Sequence, residues 1–583
     1  MMPRAIPPLL LLASLHAQMP PPTSRAKEIN YAAPSGYDVE PGLRAQIERY
    51  QADLAALDRY YPIDEAPQRI RAVRRFHTSW LDTLAALPFP QLGHDAQVDH
   101  VLLANRIRLE LRRLDQTEQR LNEALPLLPF AGAIFELIDD RVRVETPDSQ
   151  RIAAKLFRME KEIAGARKEL NSRKPTTKPA TANRAARLTR SLRDSLKEWN
   201  TFYNAYDPNF SWWTADPYAK LTKAMDEYAD DLREKLAGVA KSDLDTIVGD
   251  PIGDAALRDE LRFEMIPYTP DDLVKIAEKE FAWCDREMLR ASRELGYGDD
   301  WKKALEHVKT LYVPPGQQAA LVRDQVFEAI QFLEKRDLVS IPPFAKDIWR
   351  MRMMTPAEQR INPFFLGGEQ IIVSFPTAEM PHEAKMMSMR GNNVHFSRAT
   401  VHHEVIPGHH LQMYMTRRYK PWRNAFYTPF WIEGWALYWE MRLWDLGFPQ
   451  SPENRIGMLF WRMHRCARIL FSLNFHLEKW TAPQCVDFLV DRVGHERENA
   501  AAEVRRSFEA DYPPLYQAAY MLGGLQFRAL HKELVAPGKM TERAFHDAIL
   551  QHGTMPVEMV RATLTRQPLS PNFSSAWLFY GQP

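Results

Sequence analysis

Cysteine is scarce: Cys284, Cys466 and Cys485 are the only three in 583 residues. Thiols so few and so scattered exclude a disulfide framework or a thiolate zinc site, and leave room for one bridge at most. Past the N-terminus no segment offers the roughly 20 apolar residues that a bilayer span requires, so a soluble mature protein with no membrane partner is expected. An imbalance of charge is missing too. The 76 Lys and Arg nearly cancel the 75 Asp and Glu, for a formal charge of +1, so nothing draws the chain to nucleic acid or to an anionic surface. A fixed-period repeat is also absent, which disfavours a solenoid. What is present, 45% hydrophobic and 26% charged residues over this length, suits a globular chain with a large core or two lobes around a cleft.

Met1-Met2-Pro3-Arg4 precedes a short apolar run containing Leu9-Leu10-Leu11-Leu12, and the small residue Ala17 follows. These are the parts of a secretory signal. Residues 1–17 are read as that signal, and the protein as periplasmic or secreted. Amphipathic patterns then dominate residues 26–341. Within residues 101–114 apolar side chains recur at three- and four-residue spacing with arginines opposite, and residues 152–170, 185–199, 221–239 and 273–295 behave alike. Residues 24–341 are therefore expected to form a helical N-terminal lobe. An exposed loop is expected at residues 173–181, where Pro175 and Pro179 break the pattern.

The texture changes after Pro342, and residues 342–583 are read as the metal-binding catalytic lobe. Residues 363–368 have loop composition, and residues 370–375, β-branched and aromatic between glycines and Pro376, predict a strand. Residues 392–397 predict a second, with Asn392-Asn393 as a turn and Ser397 or Thr400 as N-cap of the helix that follows. A strand running into that helix would offer an edge to which an extended peptide can add.

The same helix carries the densest set of metal ligands in the chain: His402, His403, Glu404, His409 and His410 lie within nine consecutive positions. Imidazole suits Zn²⁺, and a Glu directly after a ligating His can take a proton from water on the ion. On a straight helix His403 and His409 would stand about 600° of rotation and about 9 Å apart, too far for one ion. Pro407 removes a backbone donor and clashes with the preceding turn, and Gly408 readily takes positive φ, so the helix can break and bring a later imidazole back to His403. Spacing does not choose between His409 and His410. A third ligand is sought in the aromatic, hence buried, residues 430–440, where Glu433 and Glu440 fall seven residues apart on one helical face. Buried carboxylates need a cation or a hydrogen-bonding partner. Glu433 as ligand and Glu440 as acceptor for a ligand imidazole satisfy both.

His403-Glu404-x-x-Pro407-Gly408-His409-His410-x-Gln412, followed by Glu433-Gly434-Trp435-Ala436-Leu437-Tyr438-x-Glu440, resembles the bacterial family known as domain of unknown function 885, over most of the mature chain. The metal region in turn resembles the gluzincin metallopeptidases, in particular the thimet oligopeptidase and Taq carboxypeptidase groups. Matching their Gly-His pair onto Gly408-His409 implies His409 as second ligand, with two extra residues in the turn before it. Residues 514–523 resemble a further segment of the bacterial family, and a late tyrosine of thimet-type enzymes donates to the oxyanion, which implies that role for Tyr520. Leu515, Ser472 and Ser507 depart from the family pattern.

The expectation is a mainly α, two-lobed helical metallopeptidase-like fold with a small β-sheet beside the active-site cleft. In it Zn²⁺ is held by His403, His409 and Glu433, Glu404 is the general base, Tyr520 steadies the oxyanion, and short peptides are the substrate for oligopeptidase or exopeptidase action. A metal hydrolase of a non-peptide amide and a secreted binding protein with a structural metal are the alternatives. Plainer roles fall to the rest. His402 and the non-ligand of His409 and His410 are expected behind the ligands or facing substrate, His382-Glu383 and His495-Glu496 at the surface, and His476 as a satisfied interior histidine. Trp431, Trp435 and Trp439 are read as core.

Overall fold

The computed structural model describes residues 43–172, 177–243, 245–359, 362, 364–510 and 512–582. The signal expected at residues 1–17 and the first four residues of the loop expected at 173–181 lie outside them. Pro179, expected within that loop, opens the helix Pro179–Asn204, its fixed φ suiting a first helical turn.

Among the described residues the fold is mainly α, with one two-stranded sheet. The amphipathic patterns become the helices His94–Ala124, Ser149–Ser172, Pro179–Asn204, Pro208–Asp231 and Pro270–Glu294. On Pro179–Asn204 the stripe Ala185, Leu188, Leu192, Leu196 and Trp199 is buried along its whole length. No described helix is long and apolar enough to cross a membrane. Strand β2, Gln370–Val373, forms where the sequence put it, and pairs in parallel with β1, Arg350–Met353, so that Met351 stands opposite Ile371. Residues 392–397, expected as a strand, instead enter the helix Val394–Glu404. The Asn393 side chain accepts the N–H groups of His395 and Phe396 and caps that helix, so the residues that read as strand are its first turn. No strand runs into the His403 helix. The extended backbone bordering the site is Leu366 and Ile372, which exchange both backbone hydrogen bonds.

Buried apolar residues fall into two clusters, and the helix Pro429–Asp445 belongs to both. Trp431, Trp435, Tyr438 and Trp439 join one; Phe430, Leu437 and Met441 join the other. A helix apolar all round is stable only where it is packed on every side. Thr428 caps it, accepting from the Phe430 N–H and donating to the buried Glu264 carboxyl. The helix Tyr516–Leu534 crosses it backbone to backbone: a Cβ on Gly434 would fall 2.6 Å from the Gly523 backbone, and one on Gly523 would fall 2.2 Å from the Phe430 carbonyl oxygen.

Gly523→Ala is therefore expected to destabilise the protein by about 2 kcal/mol or more. Gly165→Ala, facing open space on Ser149–Ser172, is expected to stabilise it by about 0.5–1 kcal/mol; urea unfolding of the two variants measures both. A second expectation concerns Glu264, which burial raises from the ordinary 4.5 to about 8. The folded chain then keeps a proton that the unfolded chain releases, so stability falls as pH rises from about 5 to about 8, by at most about 1.4 kcal/mol per unit. In Glu264→Gln, denaturant titrations across that range are expected to show a flatter profile.

Candidate metal centre

The Val394–Glu404 helix stops at Glu404 and the next, His409–Thr416, starts five residues on. Pro407 stands in the break, and its carbonyl accepts from Trp435 Nε1 at 2.8 Å, tying the break to the Glu433 helix. Gly408 adopts φ −78°, not the positive φ that its type suggested. Glycine is needed there for space, because a Cβ would sit 1.7 Å from the His403 carbonyl oxygen. This path turns His409 back to His403: the rings lie 4.8 Å apart between centres, at 88°. His410 turns away, its Nε2 bonding the Ala345 carbonyl at 2.9 Å. His402 is buried edge-on to Phe448, with neither ring nitrogen partnered. Neither lines the cleft that holds His403 and His409, so neither faces substrate there.

Each facing imidazole is oriented through Nδ1. His403 Nδ1–H donates to Glu440 at 2.7 Å. His409 Nδ1–H donates to Gln412 Oε1 at 3.2 Å, and the Gln412 amide donates in turn to the Trp431 carbonyl. With both rings neutral, both Nε2 atoms carry lone pairs, and both face one carboxylate oxygen. Glu433 Oε2 lies 3.4 Å from His403 Nε2 and 3.2 Å from His409 Nε2, buried and without a hydrogen-bond donor. Donor atoms at tetrahedral zinc distances stand about 3.3–3.4 Å from one another, close to the two distances from Glu433 Oε2. Lone pairs so placed repel unless positive charge sits among them.

Protonation reflects the same demand. Burial opposes charge on His403, yet Glu404 and the bonds to Glu433 and Glu440 raise it to about 9. Burial opposes charge on Glu433 as well, yet His409 and His403 hold its carboxyl well below the usual range. Glu404 differs. Its pKa is raised by burial, and Gly367 backs it so closely that a Cβ there would fall 2.2 Å from its Oε2. Ligand atoms of His403, Glu404 and His409 also lie within 4.8 Å of one another. Two carboxylates thus border the point between the imidazoles. Glu433 touches both Nε2 atoms, and Glu404 is the one with a raised pKa.

A cleft of about 360 Å³ opens onto this point. The Tyr520 ring stacks on His403 at 6.0 Å and 13°, and its hydroxyl reaches the Tyr516 hydroxyl at 3.5 Å. Tyr516, which the sequence reading gave no role, donates to Glu433 Oε1 at 2.5 Å. It lies four residues before Tyr520 on one helical face, a spacing that could have found it. Gln412 stood in the quoted motif without a role. Arg465, Arg468 and Arg506 also line the cleft, brought there from two further helices by packing that leaves no local mark. Of the remaining histidines, His382 is exposed as expected. His495 is not: the left-handed turn at Gly494 folds it inward, where it is buried and bonds His464 at 2.9 Å. His476 is interior, but its Nδ1 lacks a partner. Trp431, Trp435 and Trp439 are fully buried.

The profile of a family described as "Bacterial protein of unknown function (DUF885)" matches residues 42–564. No curated protein matches the chain. Among solved structures, a candidate lipoprotein of unknown function from Shewanella oneidensis is similar at TM-score 0.64 and 17% identity, over 90% of this chain and 99% of that one. A candidate lipoprotein from Colwellia psychrerythraea is similar at TM-score 0.55 and 16% identity, again over 90% and 99%. At such identity the likeness establishes the fold.

Glu440→Gln, which weakens the hold on His403 Nδ1, is expected to lower Zn²⁺ affinity about 10–100-fold. His410→Ala is expected to leave it unchanged. Competition titration against a chromophoric chelator measures both.

Proposed function

We propose that this chain, which belongs to the DUF885 family, is a zinc-dependent metallopeptidase that hydrolyses short peptides outside the cytoplasm. The observation that carries the reading is the buried, donor-free Glu433 Oε2 facing two imidazole nitrogens at 3.2 and 3.4 Å, with both rings anchored through Nδ1. A structural site would close its coordination, whereas this one opens onto a cleft. The resemblance of the metal region to gluzincins supports a peptide bond as the target, and the candidate-lipoprotein descriptions of the two similar structures support a place outside the cytoplasm.

Zn²⁺, when bound, supplies a Lewis acid that polarises a carbonyl and acidifies water. His403, His409 and Glu433 would hold it. Tyr516 occupies Glu433 Oε1 and so leaves Oε2 as the free oxygen. Glu404, buried and with a raised pKa, accepts a proton from water and returns it to the departing amine. The Tyr520 hydroxyl, held only by a 3.5 Å contact, is available to donate to the oxyanion. The cleft's volume suits an extended segment of a few residues and not a folded chain.

Cleavage of a peptide library by the zinc-loaded protein, read by mass spectrometry, tests the reading. Glu404→Gln is expected to lower turnover about 10²–10⁴-fold with zinc stoichiometry unchanged. An intact library, or turnover that survives the substitution, overturns it.

A further inference from the structure

Three buried arginines share the cleft: Arg465 and Arg468 from the helix Pro452–His476, and Arg506 from Arg497–Glu509. They are 4%, 3% and 9% exposed. A buried guanidinium without full partnership is costly, so each calls for an account. Arg468 donates through Nε to Glu503 at 2.7 Å and leaves Nη1 buried with no acceptor. Arg465 approaches Glu440 only to 3.5 Å, and its Nε has no acceptor. Arg506 has no ion-pair partner among the described residues; its Nε is likewise unmet, and its guanidinium lies 4.8 Å from the centre of the Tyr512 ring. Only Glu440 and Glu503 form ion pairs with these three cations, Glu440 is already bound to His403, and Glu404 acts on Arg465 from across the cleft without pairing. The wall therefore keeps guanidinium groups whose donors are not all met.

Their position relative to the metal centre is fixed by one ring. Arg465 and Arg468 lie 4.7 and 4.4 Å from the centre of Tyr520, the ring that stacks on His403. An extended peptide advances about 3.3–3.6 Å per residue, so a carbonyl beside His403 brings a carboxylate one or two residues further on among these arginines. A planar guanidinium pairs with a carboxylate through two parallel hydrogen bonds.

We propose that Arg465, Arg468 and Arg506 receive the free α-carboxylate at the substrate's C-terminus, making the protein an exopeptidase that releases one or two C-terminal residues. This rests on the metallopeptidase reading. Water gives its hydroxyl to the carbonyl carbon and a proton to the departing nitrogen as the amide bond breaks.

Three matched pentapeptides test it on the zinc-loaded protein: free acid, C-terminal amide, and N-acetylated free acid. Amidation is expected to lower kcat/KM roughly 100-fold or more; acetylation changes little, and the products lack one or two C-terminal residues. Arg506→Gln is expected to raise KM for the free acid and to shrink the difference from the amide. Equal cleavage of acid and amide overturns the proposal, as does rescue of the amide by an acidic side chain. A second measurement uses the metal-free protein, where an N-acetyl dipeptide acid is expected to raise Tm and its amide to leave it unmoved. Equal shifts overturn the arginine site whatever the activity. Discrimination here with no peptide cleaved by the zinc-loaded protein supports the arginine site and counts against the metallopeptidase reading alone.

Discussion

Charge held away from water is the constraint on which the centre of this molecule depends. Glu404, Glu433, Glu440 and Glu503 are all buried, and so are His403, His409, Arg465 and Arg468. Such groups persist only when each is answered by another. Glu440 is answered by His403, Glu503 by Arg468, and one oxygen of Glu433 by Tyr516. The account stays open at the second oxygen of Glu433 and at nitrogens of the three arginines. Folded interiors leave few polar atoms unmet, and these belong to residues that line one cleft, where the proposed cation and substrate carboxylate would answer them.

The backbone makes that arrangement reachable by approaching itself closely at four glycines. Gly408 lets the chain pass against the His403 carbonyl, Gly367 presses on Glu404, and Gly434 and Gly523 bring two helices together without side chains between them. The last contact sets Tyr516 beside Glu433. The geometry of the candidate ligands is thus a product of main-chain packing as much as of those residues.

How much of this could be read from the sequence follows from the range of the interactions. The N-terminal helices were legible because an apolar stripe at three- and four-residue spacing is a local property, as on Pro179–Asn204. The region holding His403, Glu404, Glu433 and Glu440 was legible because ligand types clustered there and two carboxylates shared a helical face. His409 and His410 could not be separated by residue type, since their directions depend on the path through residues 405–408. Residues 392–397 misled because β-branched Val394 and aromatic Phe396 fit a strand or a helix equally well, and the Asn393 cap decided. β1 escaped notice as a four-residue alternation of Arg and Met without β-branched residues. The arginines of the cleft and Tyr516 reach it through contacts between distant segments, which no local pattern records.

The helix Pro429–Asp445, claimed by both apolar clusters, gives the centre a reach beyond its ligands. Its amides can meet solvent only when the two halves of the interior come apart together, so it should mark the last structure to yield. An ion held by Glu433, as proposed, would draw on that cooperativity, since binding to the native state alone shifts the whole unfolding equilibrium. Occupancy of one small pocket would then be felt as resistance to proteases across loops that never touch it.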